Sequence, residues 1–119
     1  TVGTQSGSTG EENINKDQKL KDSFKEVKAY PDFIAAFMDL ENGRIDAIIG
    51  DEITGRYYMS KHPDTFEARD AVIGEVTSFG IGFAKDNQKL RDEVQKVMDE
   101  MKKDGSYDKI YEKWFGKRG

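Results

Sequence analysis

The spacing of apolar positions changes along the chain, and each change predicts an element. Val2 to Gln5 reads as a short strand. The small polar run Ser6 to Gly10 then feeds a helix, with Ser8 or Thr9 as N-cap and Glu11 and Glu12 in the first turn. Asn13 to Lys21 is polar and lysine-rich, so that helix should be short or frayed. Phe24 to Tyr30 alternates with a period of two, a strand. Pro31 opens a helix where its missing N–H costs nothing, Phe33, Ala36, Phe37 and Leu40 share one face of it, and Gly43 after Asn42 stops it. Ile45 to Ile49, within "IDAIIGD", is the best buried-strand candidate. Asp51 and Glu52 begin a helix through Ile53, Tyr57 and Tyr58 to about Ser60, ended by Pro63. Phe66 to Ala68, Val72 to Val76 and Phe79 to Ala84 are further strand candidates. From Asn87 to Asp104, Leu90, Val94, Val97, Met98 and Met101 form one apolar stripe of a helix. Gly105 breaks it, and Ser106 caps a second helix carrying Tyr107, Ile110, Tyr111, Trp114 and Phe115.

Strands alternating with helices predict an α/β fold, a mostly parallel sheet flanked by helices, with two C-terminal helices. In such sheets ligands bind beyond the carboxyl ends of the strands, where strand order reverses. Two loops qualify, Ser6–Gly10 after the first strand and Gly50–Glu52 after the third. In a parallel sheet they share one edge.

Composition narrows the function. A chain of 119 residues is one domain's worth, with 23 acids against 19 bases. That balance argues against nucleic acid, which requires a basic face. No run approaches the ~20 apolar residues of a membrane span. Cysteine is absent, so disulfide and thiolate chemistry are excluded. No signal peptide opens the chain, which fits either a cytosolic protein or a mature or trimmed export product. Thr1 and Val2 read as the inside of a strand, so the chain is expected to be cut from something longer. The basic tail Lys117–Arg118 reads as solvated.

The glycine loop lacks the Walker A and dinucleotide-binding patterns. It leaves a helix start with backbone N–H groups and two hydroxyls, able to hold one carboxylate or phosphate, or else an ordinary capped loop. Asp51 is either an N-cap or an acceptor for a cation. Taken together, Ser8, Thr9 and Gly10 on one side and Asp51 on the other suit the two ends of an α-amino acid. Tyr57 could reach the rim of that cleft. His62 is the only histidine and sits in a turn-like "SKHPD". No nucleophile constellation, metal-ligand spacing or cofactor motif is present, so neither an enzyme nor a cofactor is expected.

The stretches "VGTQSGST", "YPDFIAAFMDLENGRIDAIIGD", "SFGIGFAKDNQKLRDEV" and "MKKDGSYDKIYEKWFG" together resemble the polar-amino-acid substrate-binding proteins of ABC importers. The glutamine-, arginine- and histidine-binding type of solute-binding family 3 is the nearest. The resemblance implies one lobe of a periplasmic-binding-protein type II fold. Residues 1–84 would be the second, ligand-binding lobe. Residues 85–119 would be the exit from the return hinge and helices that pack on a first lobe. Gln5 would meet the ligand's side chain, Ser8 and Thr9 its α-carboxylate, and Asp51 its α-ammonium. Gly50 stands where relatives place a bulkier contact, which predicts a roomier pocket.

The first lobe of that family supplies an arginine for the carboxylate and aromatic walls, and this chain does not match it. Two apolar C-terminal stripes without that partner are expected to self-associate, exchange elements between copies, or fold back on their own sheet. The implied function is the extracytoplasmic amino-acid-binding component of an ABC transporter. It would be periplasmic or extracellular, with a lipid anchor in the full-length protein as one arrangement, and would dock on the importer's membrane subunits. The alternatives are the ligand domain of a sensor or receptor of the same fold, or an engineered isolated lobe. The stop after Gly116–Gly119 favours the transport protein.

Overall fold

The short strand expected at the start of the chain pairs on both sides. In the computed structural model, which describes residues 1–117, β1 is Val2–Gln5. It lies parallel to β2, Val27–Tyr30, with Val2 opposite Val27 and Gln5 opposite Tyr30. On its other side it pairs with β3, Ala47–Ile48, also parallel. The sheet order is β2-β1-β3. Arg118, in the basic tail, lies outside the described residues.

Capping chemistry sets the helix starts. α1 is Thr9–Lys16, capped by Ser8. The polar run beyond it breaks at Asp17, whose carboxylate accepts from Leu20 N–H at 3.0 Å and starts a second short helix, α2, Gln18–Ser23. α3 is Phe33–Glu41 and begins after Asp32, which accepts from Ala35 N–H at 2.8 Å. Pro31 therefore lies outside the helix instead of opening it, and it keeps Tyr30 extended. Asn42 caps the far end, and Gly43 adopts a φ of +76°. α4 is Glu52–Lys61, capped by Asp51.

The two faces of the sheet are covered by different helices. Side chains alternate along β1. The Gly3 position faces Ile45 and Tyr30, which join Ala36 of α3 in the core. Thr4, next in line, is fully buried and faces Gly10 of α1 on the other side. Thr4 is satisfied by donating its hydroxyl to the Ile49 carbonyl at 2.8 Å.

The later strand candidates do not pair. Phe66 to Ala68, Val72 to Val76 and Phe79 to Ala84 carry no strand, and β3 is shorter than the run Ile45 to Ile49. A strand exists through its ladder, and alternation cannot supply a partner. Val76 is 86% exposed and Phe79 77%. The order is thus β1-α1-α2-β2-α3-β3-α4, followed by two helices.

The chain divides into two units, Thr1–Glu75 and Val76–Gly119. In the second, α5, Gln88–Asp104, is capped by Asn87 and ends at Gly105 with φ +86°. α6, Ser106–Phe115, packs against α5. Ser106 is its first residue and not its cap. Asp104 instead accepts from the Ser106 N–H at 2.8 Å and from its hydroxyl at 2.6 Å. Among the described residues no helix is long and apolar enough to cross a membrane.

Candidate functional site

A β2-β1-β3 parallel order changes sides between β1 and β3, and sheets of this kind bind ligands beyond the carboxyl ends of the two strands at such a point. The turns leading into α1, α3 and α4 all leave from that edge. The two loops singled out in the sequence therefore meet there.

Gly10 draws them together. A methyl group at Gly10 would lie 3.0 Å from Thr4 Oγ1, 3.1 Å from the Ile49 carbonyl oxygen and 3.5 Å from Gly50 Cα. A side chain there would press on its neighbours by a few tenths of an ångström, so glycine suits the close start of α1 against the turn after β3. Gly10 is buried, whereas Thr9 beside it is exposed.

The first loop is braced from within. Gly7 takes a φ of +74° and donates its N–H to Glu11 Oε1 at 3.1 Å. The Ser8 N–H and hydroxyl both donate to the Gln5 carbonyl, at 3.3 and 2.7 Å. Ser8 Oγ also accepts from Glu11 N–H at 3.3 Å. This is a capping box shifted by one residue. As the turn stands, the Ser8 hydroxyl supports the loop and does not face outward. The N–H groups of Thr9 and Gly10, at the first two helical positions, have no intrahelical acceptor. They and the Thr9 hydroxyl are the donors the loop offers an anion.

Asp51 is first of all a cap. Its Oδ2 accepts from the Thr54 N–H at 2.9 Å and the Thr54 hydroxyl at 2.7 Å. The second oxygen, Oδ1, takes neither bond, and the side chain is partly exposed. Capping and cation binding are thus compatible in one carboxylate.

The space beside Gly50 is not roomy. A methyl group there would lie 2.6 Å from Phe33 Cζ and 2.7 Å from Cε1, so the Phe33 ring takes the place a side chain would fill. Sequence reasoning missed this contact, placing Phe33 only on the apolar face of α3 with Ala36, Phe37 and Leu40. Glu11 and Thr54 were also missed as supports, although the spacing from Ser8 to Glu11 is that of a capping box. Gln5 is partly exposed at the end of β1. Tyr57 lies six residues along from Asp51, its ring 5.8 Å from that of Tyr58 and 5.6 Å from Lys61 Nζ. Tyr58 stacks on Phe37 at 4.5 Å, and Phe66 meets Phe37 edge-on. Among the described residues no group of three or more His, Cys, Asp or Glu side chains gathers as a metal site.

Residues 12–117 match the family described as bacterial extracellular solute-binding proteins, family 3. The chain belongs to that family. It is a family of binding proteins and not of enzymes. The chain is 33% identical to the arginine-binding periplasmic protein of Mannheimia haemolytica, over 98% of its own length and 48% of that protein's. Among solved structures, it is 34% identical to a polar amino acid ABC uptake transporter substrate-binding protein from Streptococcus thermophilus, with a TM-score of 0.75. That match covers 98% of this chain and 46% of the other. An ancestral arginine-binding protein bound to glutamine is 38% identical, with a TM-score of 0.64, over 98% of this chain and 50% of that one. This family-3 chain spans about half the length of the curated relatives it matches.

Proposed function

We propose that this chain is the part of an ABC importer's amino-acid-binding protein that receives the head group of a polar L-amino acid at the β1–β3 edge. The α-carboxylate lies at the Thr9 and Gly10 N–H groups and the Thr9 hydroxyl, where the start of a helix favours negative charge. The α-ammonium is taken by Asp51. Ser8 holds the turn, Gln5 faces the ligand's side chain, and Tyr57 stands at the rim. The observation that carries this reading is the close approach of Gly10 to Gly50, which brings the anion-accepting end of α1 beside the turn that carries Asp51.

The names of the relatives, which include arginine-, histidine- and cystine-binding proteins, support a polar amino acid. Their greater length supports an opposite wall supplied by a first lobe, so that closure of two lobes is the working step. In this reading residues 1–84 are the binding lobe. Residues 85–119 are the exit from the hinge and the helices beyond it. The protein works outside the cytoplasmic membrane and delivers to the importer's membrane subunits, which the word "periplasmic" in the names of relatives supports.

The test is a thermal-shift series with the twenty amino acids at millimolar concentration, each alongside its N-acetyl and amide derivatives. A ligand that binds only the folded state raises the melting temperature. A free polar amino acid should raise it, and masking either end should abolish the rise. No rise with any free amino acid, or an equal rise with masked ones, would contradict the head-group site.

A further inference from the structure

We propose that Asn42 is a site of covalent modification, where the side-chain amide is lost as ammonia by ring closure onto the Gly43 nitrogen. The stop of α3 both creates this site and holds it shut. Asn42 is at the far end of α3 from Phe33, so the inference does not rest on the head-group site.

The helix ends in a Schellman turn. The Gly43 N–H donates to the Leu40 carbonyl at 3.1 Å, and the Arg44 N–H to the Asp39 carbonyl at 2.8 Å. Such a turn needs a left-handed residue after the cap, and Gly43 supplies it with a φ of +76°. The fold therefore places a glycine directly after Asn42. Of the four asparagines, the other three, Asn13, Asn15 and Asn87, precede Ile14, Lys16 and Gln88. A glycine has no side chain beside its nitrogen to hinder attack. Asn42 and Gly43 are both exposed, and nothing lies within 4 Å of the place a Gly43 Cβ would take.

In the reaction the Gly43 nitrogen gives up its proton and attacks Asn42 Cγ. A Cγ–N bond forms, the Cγ–Nδ2 bond breaks, and Nδ2 leaves with a proton as ammonia. Water then opens the resulting succinimide at either carbonyl, giving aspartate or isoaspartate at position 42.

The same turn opposes the ring. Closure requires the Gly43 nitrogen to eclipse Asn42 Cβ across the Cα–C bond. At a ψ of 1° it eclipses the Asn42 nitrogen instead. The attacking N–H is engaged with Leu40, and Asn42 Nδ2 donates to the Met38 carbonyl at 2.8 Å. Rotation to the reactive arrangement breaks the Leu40 bond and draws the side chain off Met38. Reaction therefore follows local opening of the end of α3. The product loosens that end further. It replaces a donor to Met38 by a carboxylate, and it adds negative charge at a helix C-terminus that already carries Asp39.

The test is incubation of the full chain at mildly alkaline pH, with and without denaturing urea, followed by peptide mass spectrometry. Asn42 should be the first asparagine to convert, about tenfold more slowly in the folded chain than in urea. Asp104–Gly105 can close the same kind of ring but releases no ammonia, so the mass change separates the two. First conversion at Asn13, Asn15 or Asn87 in the folded chain would overturn the site. Equal rates at Asn42 with and without urea would overturn the restraint by the turn. Asn42→Asp reads the effect of the product directly, and its melting temperature should fall by a few degrees. An unchanged melting temperature would overturn the loosening of α3.

Discussion

Gly10 lies against the turn after β3 so closely that a methyl group on it would sit 3.1 Å from the Ile49 carbonyl oxygen and 3.5 Å from Gly50 Cα. The contact ties α1 to β3 across the end of β1 and sets the spacing of the site. Gly10→Ala gains up to about 1 kcal/mol of helix propensity. It also overpacks a backbone carbonyl and the buried Thr4, at about 1–3 kcal/mol. The expected result is a net loss of about 1 kcal/mol in urea unfolding. A more stable variant would show that α1 is free to move away from β3.

Asp51 holds two roles that separate by substitution. Asp51→Asn keeps an oxygen for the Thr54 N–H, so stability should change little. Asp51→Ala loses the cap, about 0.5–2 kcal/mol. Both remove the charge opposite an α-ammonium, and both should weaken amino-acid binding by about 2–5 kcal/mol. Calorimetric titration of the two variants checks this, and retained affinity in Asp51→Asn would remove the ammonium role.

Asp39 links β2, α3 and the turn before β3. The Tyr30 hydroxyl donates to its Oδ2 at 2.7 Å, the Arg44 guanidinium to its Oδ1 at 3.0 Å, and Lys28 Nζ lies 3.3 Å away. The bonds from Tyr30, then Arg44 and Lys28, hold the Asp39 carboxyl below its ordinary 3.8. A depressed carboxyl stabilises the fold above its unfolded value, and the contribution is lost as pH falls through the folded value. Urea midpoints of wild type should therefore fall as pH drops past 3.8, and Asp39→Asn should show a shallower fall. Equal slopes would mean that the network adds nothing to stability.

Gly74 touches α1 far along the sequence. It has a φ of +78°, and a side chain there would run into the Asn13 amide, which donates to the Ile73 carbonyl at 3.4 Å. Gly74→Ala places a non-glycine residue in the left-handed region, costing about 1–3 kcal/mol. The Asn13 side-chain amide resonance should move with it. An unchanged unfolding curve would show that residues 73–74 do not depend on this contact.

How much of this was legible depends on whether the signal was local. Val2–Gln5 was read with its observed bounds, because an apolar start followed by a glycine turn is local information. The caps at Ser8 and Asp51 and the stop at Asn42–Gly43 were legible for the same reason. The break at Asp17 was missed because an aspartate inside a polar run reads equally as solvated helix or as a cap. Phe79 to Ala84 was misread because its alternation is real but its pairing partner is not a property of the segment. At the site, the shared edge of the two loops followed from a parallel sheet. The Phe33 ring over Gly50 did not, since that contact joins residues at the starts of two different helices and leaves no periodic trace.

The central claim is that the start of α1 and Asp51 form one site for the two ends of an amino acid. The most direct measurement is a titration of the uniformly ¹⁵N-labelled chain with arginine, followed by amide chemical shifts. The account predicts saturable changes concentrated at Thr9, Gly10, Gly50 and Asp51, abolished by Asp51→Ala. Changes absent from those four amides at saturating ligand, or unaltered in Asp51→Ala, would contradict it.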